Sequence, residues 1–353
     1  MRAARHHANG KPLRLETIEE PKAGAGAVVV RVLATFVSPS MKAILADPGG
    51  YPMPPAPFVP GMSVVGEIET LGKGVQGLAP GMRVYCDPYI ASPNLTAPPD
   101  GAFIGYFGFT PAAAGVLARW PDGGFAEKAV FPAECLTPLG DAGHGVEPAV
   151  LTRLGHIGTG HEALLRGGFQ PGRIVLVTGA TGLLGVSTVM LALAMGAGQV
   201  IVAGRRADVL ARLHSLSPRR VRAVTVSDTA RLTKEASGAD LLVECMGRTP
   251  DASVLSAAIA ALRPGGSAVL VGGGGALPLN YGDLLMRDLV VRGSLWFPRR
   301  AIADILTLIG TGALDLATVK ARRFSLDEAN DAIAAAAAPE RAGGFEHCAV
   351  VPR

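Results

Sequence analysis

From Leu13 to about Leu139 the apolar positions fall in short runs: VVVRVLATFV at 28–37, VVGEIETLG at 64–72, RVYCDPYI at 83–90 and AEKAVF at 126–131. Clusters of Gly and Pro separate them, DPGGYPMPPAP at 47–57 and GLAPGM at 77–82 among them. Runs rich in β-branched residues, bounded by such breakers, predict short strands, and many in succession predict an all-β barrel. From about Pro148 the grain changes. The strand-like segments IVLVTGA, VIVAGRR, AVTV, LLVECMG and SAVLVGGG now alternate with helical stretches such as STVMLALAMGA. That spacing predicts βαβ units and a parallel sheet, so the fold class is α/β. Two amphipathic helices are expected in AIADILTLIGTGAL and SLDEANDAIAAAAA, and a last strand in CAVV.

The 353 residues exceed what one hydrophobic core usually serves, so two domains are expected. With 49% hydrophobic and 18% charged residues the chain is not disordered, and no apolar run reaches the roughly 18 residues of a membrane span. No apolar segment follows the basic N-terminus, so a soluble, cytoplasmic protein is expected, without a membrane partner. Cys86, Cys135, Cys245 and Cys348 are widely spaced and form no CxxC pair, which speaks against disulfides and a compact zinc site. The net charge of +4 is spread over scattered arginines rather than a basic run, which excludes a nucleic-acid partner. A phosphate-bearing small molecule suits it better.

Residues 174–185, IVLVTGATGLLG, place Gly179, Gly182 and Gly185 between a strand and a helix. Small residues there tighten the turn and let backbone N–H groups approach a pyrophosphate, so Gly179, Thr181, Gly182, Leu183 and Leu184 are candidate cofactor contacts. The next strand ends in Gly204, Arg205 and Arg206, where NAD-binding units usually carry an acid for the ribose hydroxyls. Two guanidiniums and no carboxylate favour a 2′-phosphate, hence NADP.

In this order, Pro60-Gly61 with VVGEIETLG, GLAPGMRV, GGFAEKAVFP, VTGATGLLG and ALRPGGSAVLVGG resemble the medium-chain dehydrogenase/reductase family over nearly the whole chain. The resemblance implies a GroES-like β-barrel catalytic domain over 1–150, a Rossmann doubly wound parallel sheet domain over 151–295, and a return to the catalytic domain over 296–353. Zinc-dependent members carry Cys, Gly-His-Glu and Cys at three positions; here stand Ser38, Met62-Ser63 and the stretch around Gly155-His156. No metal is therefore expected, and the resemblance points to the zinc-independent branch of quinone oxidoreductases and alkenal reductases. Ser38–Lys42 resembles the Asp-Pro-Tyr-Met-Arg of alkenal reductases, with Ser40 in place of Tyr.

By position in the family pattern, Ser38, Ser40, Tyr106 and His156 are the catalytic candidates, with Met41, Met62 and Thr159 also near the nicotinamide or substrate mouth. Met246, Gly247, Gly272, Gly273, Gly274, Ser294, Leu295 and Trp296 are expected at the nicotinamide rim, with Trp296 and Phe297 shaping an apolar pocket. The expected activity is NADPH-dependent hydride transfer to an activated alkene, quinone or carbonyl of a small-molecule substrate. The alternatives are a zinc-free alcohol dehydrogenase or ketone reductase, and a non-catalytic NADPH-binding protein. A homodimer is expected through the sheet edge at LVVRGSLWFP, 289–298.

Overall fold

The computed structural model describes residues 1–91, 101–247, 251–273, 275–338 and 343–352; Gly274 lies outside them. The chain forms two units: Met1–Gly155 with Leu316–Arg341 and Glu346–Arg353, and His156–Asp315 with Ala342–Phe345.

The first unit is built on a seven-stranded sheet in the order Lys320–Phe324, Glu346–Val350, Ala27–Phe36, Met62–Leu71, Arg83–Cys86, Leu136–Pro138, with Lys128–Pro132 also paired to Ala27–Phe36. All pairs are antiparallel except Lys320–Phe324 with Glu346–Val350. Val28, Val30, Val32, Val64, Ile68, Val84 and Phe131 fill its core. The register of Ala27–Phe36 against Met62–Leu71 slips at three points, the last between Thr35 and Phe36. Such irregularities re-aim the chain, here just before Ser38.

The second unit is a six-stranded parallel sheet in the order Val221–Thr225, Gln199–Gly204, Ile174–Thr178, Ala239–Glu244, Leu262–Leu270, Val290–Gly293. Every neighbouring pair is parallel. Numbered within this sheet the order is 3-2-1-4-5-6, and the reversal of order falls between Ile174–Thr178 and Ala239–Glu244, where open α/β sheets take their ligands. The three central strands, Gln199–Gly204, Ile174–Thr178 and Ala239–Glu244, read as near-continuous buried runs, the pattern of a parallel sheet covered on both faces.

The units divide differently from the sequence-based partition. The chain crosses at Gly155 rather than 150, and the return to the first unit begins at Leu316 rather than 296. Helix Arg300–Gly310 buries Ala301, Ile302, Ile305 and Leu306, and it belongs to the second unit. Amphipathicity predicts a buried face but not the partner that covers it. The hairpin of Arg2–Arg5 with Arg14–Thr17 went unforeseen, being too short and too charged for an apolar pattern. No described helix is long and apolar enough to cross a membrane.

Asp240 ties the amino ends of three strands of the parallel sheet. Its carboxylate accepts from the Ile174 N–H at 2.7 Å, Arg173 Nη1 at 2.7 Å and Arg263 Nε at 2.7 Å. Burial pushes its pKa up, but the Ile174 N–H and the Arg263 and Arg173 guanidiniums outweigh it, so the net shift is downward. A depressed carboxyl pKa stabilises the fold above the unfolded value of about 3.9, and this contribution is lost as pH falls through the lower folded value. Asp240→Asn is expected to cost about 1–3 kcal/mol at pH 7. Denaturant unfolding should show the gap between wild type and variant closing below about pH 4.

Candidate functional site

In the second unit, the chain leaves Ile174–Thr178 through Gly179 at φ +64°, where a Cβ would stand 2.5 Å from the Cys245 carbonyl oxygen. Only glycine holds this left-handed turn at that distance. Gly182 begins helix Leu183–Ala194 and offers no side-chain cap, so the first-turn N–H groups around Leu183 and Leu184 are oriented as in an anion site. At the end of Gln199–Gly204, a Cβ on Gly204 would meet Thr181 Cγ2 at 2.6 Å. This glycine therefore keeps the glycine turn and the second strand in contact.

Arg205 is exposed, and Arg206 caps helix Ala207–Leu216. The Arg206 guanidinium donates to Asp208 at 2.7 and 3.3 Å, and this hydrogen bond holds the Asp208 carboxyl below its usual range. Sequence reasoning missed two neighbours. Gly343–Phe345 reaches the same place, with the Gly344 N–H donating to the Thr181 carbonyl at 2.9 Å. The Arg212 guanidinium lies over the Phe345 ring, 4.0 Å from its centroid. The turn, its helix start and the arginines fit a dinucleotide phosphate.

At the carboxyl ends of the next strands lies a cavity of about 540 Å³ whose lining includes Glu244, Met246, Gly273, Ser294 and Leu295. Gly247 and Gly273 both take positive φ, +72° and +76°. The buried Ser294 hydroxyl has no hydrogen-bond partner. Glu244, which sequence reasoning did not single out, accepts from the Met246 N–H at 2.6 Å and the Gly272 N–H at 2.9 Å, joining two loops. Trp296 stacks on Phe297 at 4.7 Å outside that lining. On helix Leu154–Arg166, Thr159 is buried and His156 half-buried; a Cβ on Gly158 would meet the Phe297 ring at 2.7 Å.

In the first unit, three of the four catalytic candidates come together. Ser40 Oγ lies 2.9 Å from Ser38 Oγ and 2.9 Å from the Tyr106 hydroxyl, and the Ser40 N–H donates to Ser38 Oγ at 3.3 Å. Tyr106 is 2% exposed. Burial pushes its phenol up to about 12, opposed by hydrogen bonds from Ser40 and Ser38, so it stays protonated at neutral pH. The arrangement is a neutral hydroxyl chain able to donate hydrogen bonds.

Beside it, Ser63 takes φ +54°, strained for a side chain, and accepts from the buried Tyr85 hydroxyl at 3.1 Å. The residues where zinc-dependent relatives bind metal do not fit that ion. Ser38 is engaged with Ser40, Met62 is a buried thioether, and Ser63 is held by Tyr85. Hydroxyl and thioether compete poorly with water for zinc, and among the described residues no group of three or more His, Cys, Asp or Glu side chains could hold a metal. The four cysteines are buried and unpaired by disulfides, and burial pushes the Cys86 and Cys245 thiols up.

Two family models match the chain: "alcohol dehydrogenase GroES-like domain" over residues 24–141 and "zinc-binding dehydrogenase" over 184–311. Among curated proteins the chain is 30% identical to a candidate D-xylulose reductase of Agrobacterium fabrum, over 74% of this chain and 72% of the relative. It is 27% identical to an acryloyl-coenzyme A reductase of Metallosphaera sedula, over 87% and 88%. Among solved structures, a cobalt- and zinc-bound thermostable alcohol dehydrogenase from Pyrobaculum aerophilum superposes with TM-score 0.80 at 25% identity, covering 100% of this chain and 99% of that one. A Sinorhizobium meliloti protein solved bound to NADP superposes with TM-score 0.79 at 25% identity, covering 99% of each.

Proposed function

We propose, for a chain that belongs to the medium-chain dehydrogenase/reductase superfamily and is an oxidoreductase of it, a zinc-independent NADPH-linked reduction of an activated alkene, quinone or carbonyl. The observation that carries this reading is Ser40 bridging Ser38 and Tyr106, a hydroxyl chain at the position where zinc-dependent relatives hold a thiolate. NADPH, when bound, supplies the hydride. The turn Gly179–Leu184 holds its pyrophosphate, Arg205 and Arg206 its 2′-phosphate, and the rim of Met246, Gly247, Gly272, Gly273, Ser294, Leu295 and Trp296 its nicotinamide. Ser38, Ser40 and Tyr106 donate hydrogen bonds to the substrate oxygen as negative charge develops on it. His156, half-buried on helix Leu154–Arg166, is the second candidate proton source.

The acryloyl-coenzyme A reductase relative supports reduction of a conjugated C=C bond. A second reading, a zinc-free alcohol dehydrogenase, is favoured by an (R,R)-butanediol dehydrogenase of Neisseria gonorrhoeae, 26% identical over 93% of both chains.

NADPH oxidation against a panel of enones, quinones and aldehydes, with secondary alcohols and NADP⁺ in the reverse direction, separates the two. Turnover of enones that survives prolonged chelation is expected, with Ser40→Ala lowering kcat by about 10²-fold, the usual cost of losing one oxyanion donor. Turnover of alcohols alone, abolished by chelation and restored by zinc, would refute the reading. Replacing Arg205 and Arg206 together with Ala should raise the NADPH Kd by about tenfold or more, about 1.4 kcal/mol, and leave the NADH Kd nearly unchanged. Equal weakening of both would remove the arginines from the 2′-phosphate.

We also propose a homodimer through the edge strand Val290–Gly293. Leu285 and Met286 of the preceding helix and Leu295 beyond the strand are exposed apolar residues there, with Met286 84% exposed. Light scattering at micromolar protein should give twice the chain mass, and a monomer would sink the proposal.

A further inference from the structure

Glu244 ends strand Ala239–Glu244 and is 2% exposed. One oxygen, Oε1, accepts from the Met246 N–H at 2.6 Å; the other, Oε2, accepts from the Gly272 N–H at 2.9 Å, and the Val271 N–H, 3.3 Å from Oε2, donates more closely to the Glu244 backbone carbonyl at 3.1 Å. These amides belong to two loops, one after Ala239–Glu244 and one after Leu262–Leu270. Gly272 reaches the carboxylate because it has no side chain: a Cβ there would stand 2.5 Å from Oε1. Both oxygens face backbone donors, the pattern of an acceptor-only carboxylate. Glu244 and the Ser294 hydroxyl, which has no hydrogen-bond partner, line the same cavity. Other charged side chains in that lining are Arg166, paired with Glu162 at 2.8 Å, and Asp251, held by Ser253. The hydride transfer proposed above uses Glu244 nowhere.

We infer that Glu244 is the positioning residue of the nicotinamide end of the site, and that its charge there favours the oxidised, cationic nicotinamide over the neutral reduced one. The inference rests on reading this rim as a pyridine-nucleotide site. Pinning the Met246 and Gly272 amides fixes the backbone of both loops, and so the floor on which the ring lies. A negative charge fixed at a buried position acts more strongly than one in bulk solvent. Hydride donation turns a neutral ring into a cation, so this charge makes the donating direction more favourable. The substrate carbon gains the hydride, and the proton that completes reduction comes from the hydroxyl chain or solvent.

The test measures cofactor binding without substrate, by fluorescence titration with NADPH and calorimetry with NADP⁺, on wild type, Glu244→Gln and Glu244→Asp. Gln removes the charge and sets an NH₂ group against a backbone N–H. It is expected to raise both Kd values, that of NADP⁺ by at least about threefold more than that of NADPH. Asp keeps the charge on a shorter arm, so both Kd values should rise while their ratio stays that of wild type. An unchanged ratio in Glu244→Gln, or the same altered ratio in Glu244→Asp, overturns the inference. Should Glu244→Gln fail to fold, amide hydrogen exchange on the cofactor-free wild type decides the pinning. The Met246 and Gly272 N–H groups should then be protected by about tenfold or more over exposed loop amides, and unprotected exchange overturns it. A wild type that binds neither cofactor removes the reading of the site itself, an outcome distinct from an unaltered ratio in a protein that binds both.

Discussion

At Gly179 the chain passes so close to the Cys245 carbonyl that a single added methyl group would stand 2.5 Å from its oxygen. Three more close approaches gather round the same turn. A Cβ on Gly185 would lie 2.3 Å from the Gly179 carbonyl oxygen, one on Gly204 would lie 2.6 Å from Thr181 Cγ2, and one on Gly344 would lie 2.1 Å from the Gly182 carbonyl oxygen. Each contact joins the turn to a different element: the following helix, the neighbouring strand and a segment near the C-terminus. Since packed interiors do not absorb even one methylene without displacement, a side chain at any of these positions would move the turn. In the proposed reading, the place of a dinucleotide's pyrophosphate at this turn depends on these four contacts.

The strand-to-helix alternation and the glycine turn were legible in the sequence because both are local: periodicity and the spacing of small residues carry them. Ser38, Ser40 and Tyr106 were each named as candidates by position, yet their arrangement was not legible, since Ser40 and Tyr106 are 66 residues apart and meet only through the fold. Glu244 escaped notice for a related reason. Within LLVECMG it reads as the polar end of a strand, while its partner amide on Gly272 lies 28 residues further on. Gly343–Phe345 was likewise invisible, because no local pattern announces that a short stretch before the last strand will dock on a turn more than a hundred residues earlier.

Charge is distributed unevenly over the second unit's candidate site. Arg205 and Arg206 stand at the end of the second strand, the place of a phosphate in the proposed reading, and the buried carboxylate Glu244 stands at the carboxyl end of the fourth. A reduced dinucleotide has its negative charge on the phosphates and none on the nicotinamide, and its oxidised form adds a positive charge to the ring. On the NADP(H) reading proposed above, the guanidiniums suit bidentate contact with a phosphate and the carboxylate suits a developing cation.

The hydroxyl chain in the first unit bears on the direction of chemistry. Oxidising an alcohol requires removal of a proton from its oxygen, and that demands either a Lewis acid or a base poised near neutrality. Ser38 and Ser40 are alcohols themselves, and Tyr106, pushed up to about 12, is a poor proton acceptor and remains a donor throughout the physiological range. Hydride addition to the far carbon of a conjugated alkene makes different demands. The negative charge then appears on the carbonyl oxygen as an enolate, and what lowers that barrier is a set of fixed O–H groups directed at the oxygen, with no proton transfer needed in the same step. A neutral donor chain is better matched to the second task than to the first, and this is the chemical ground on which the proposed reduction of a polarised double bond rests.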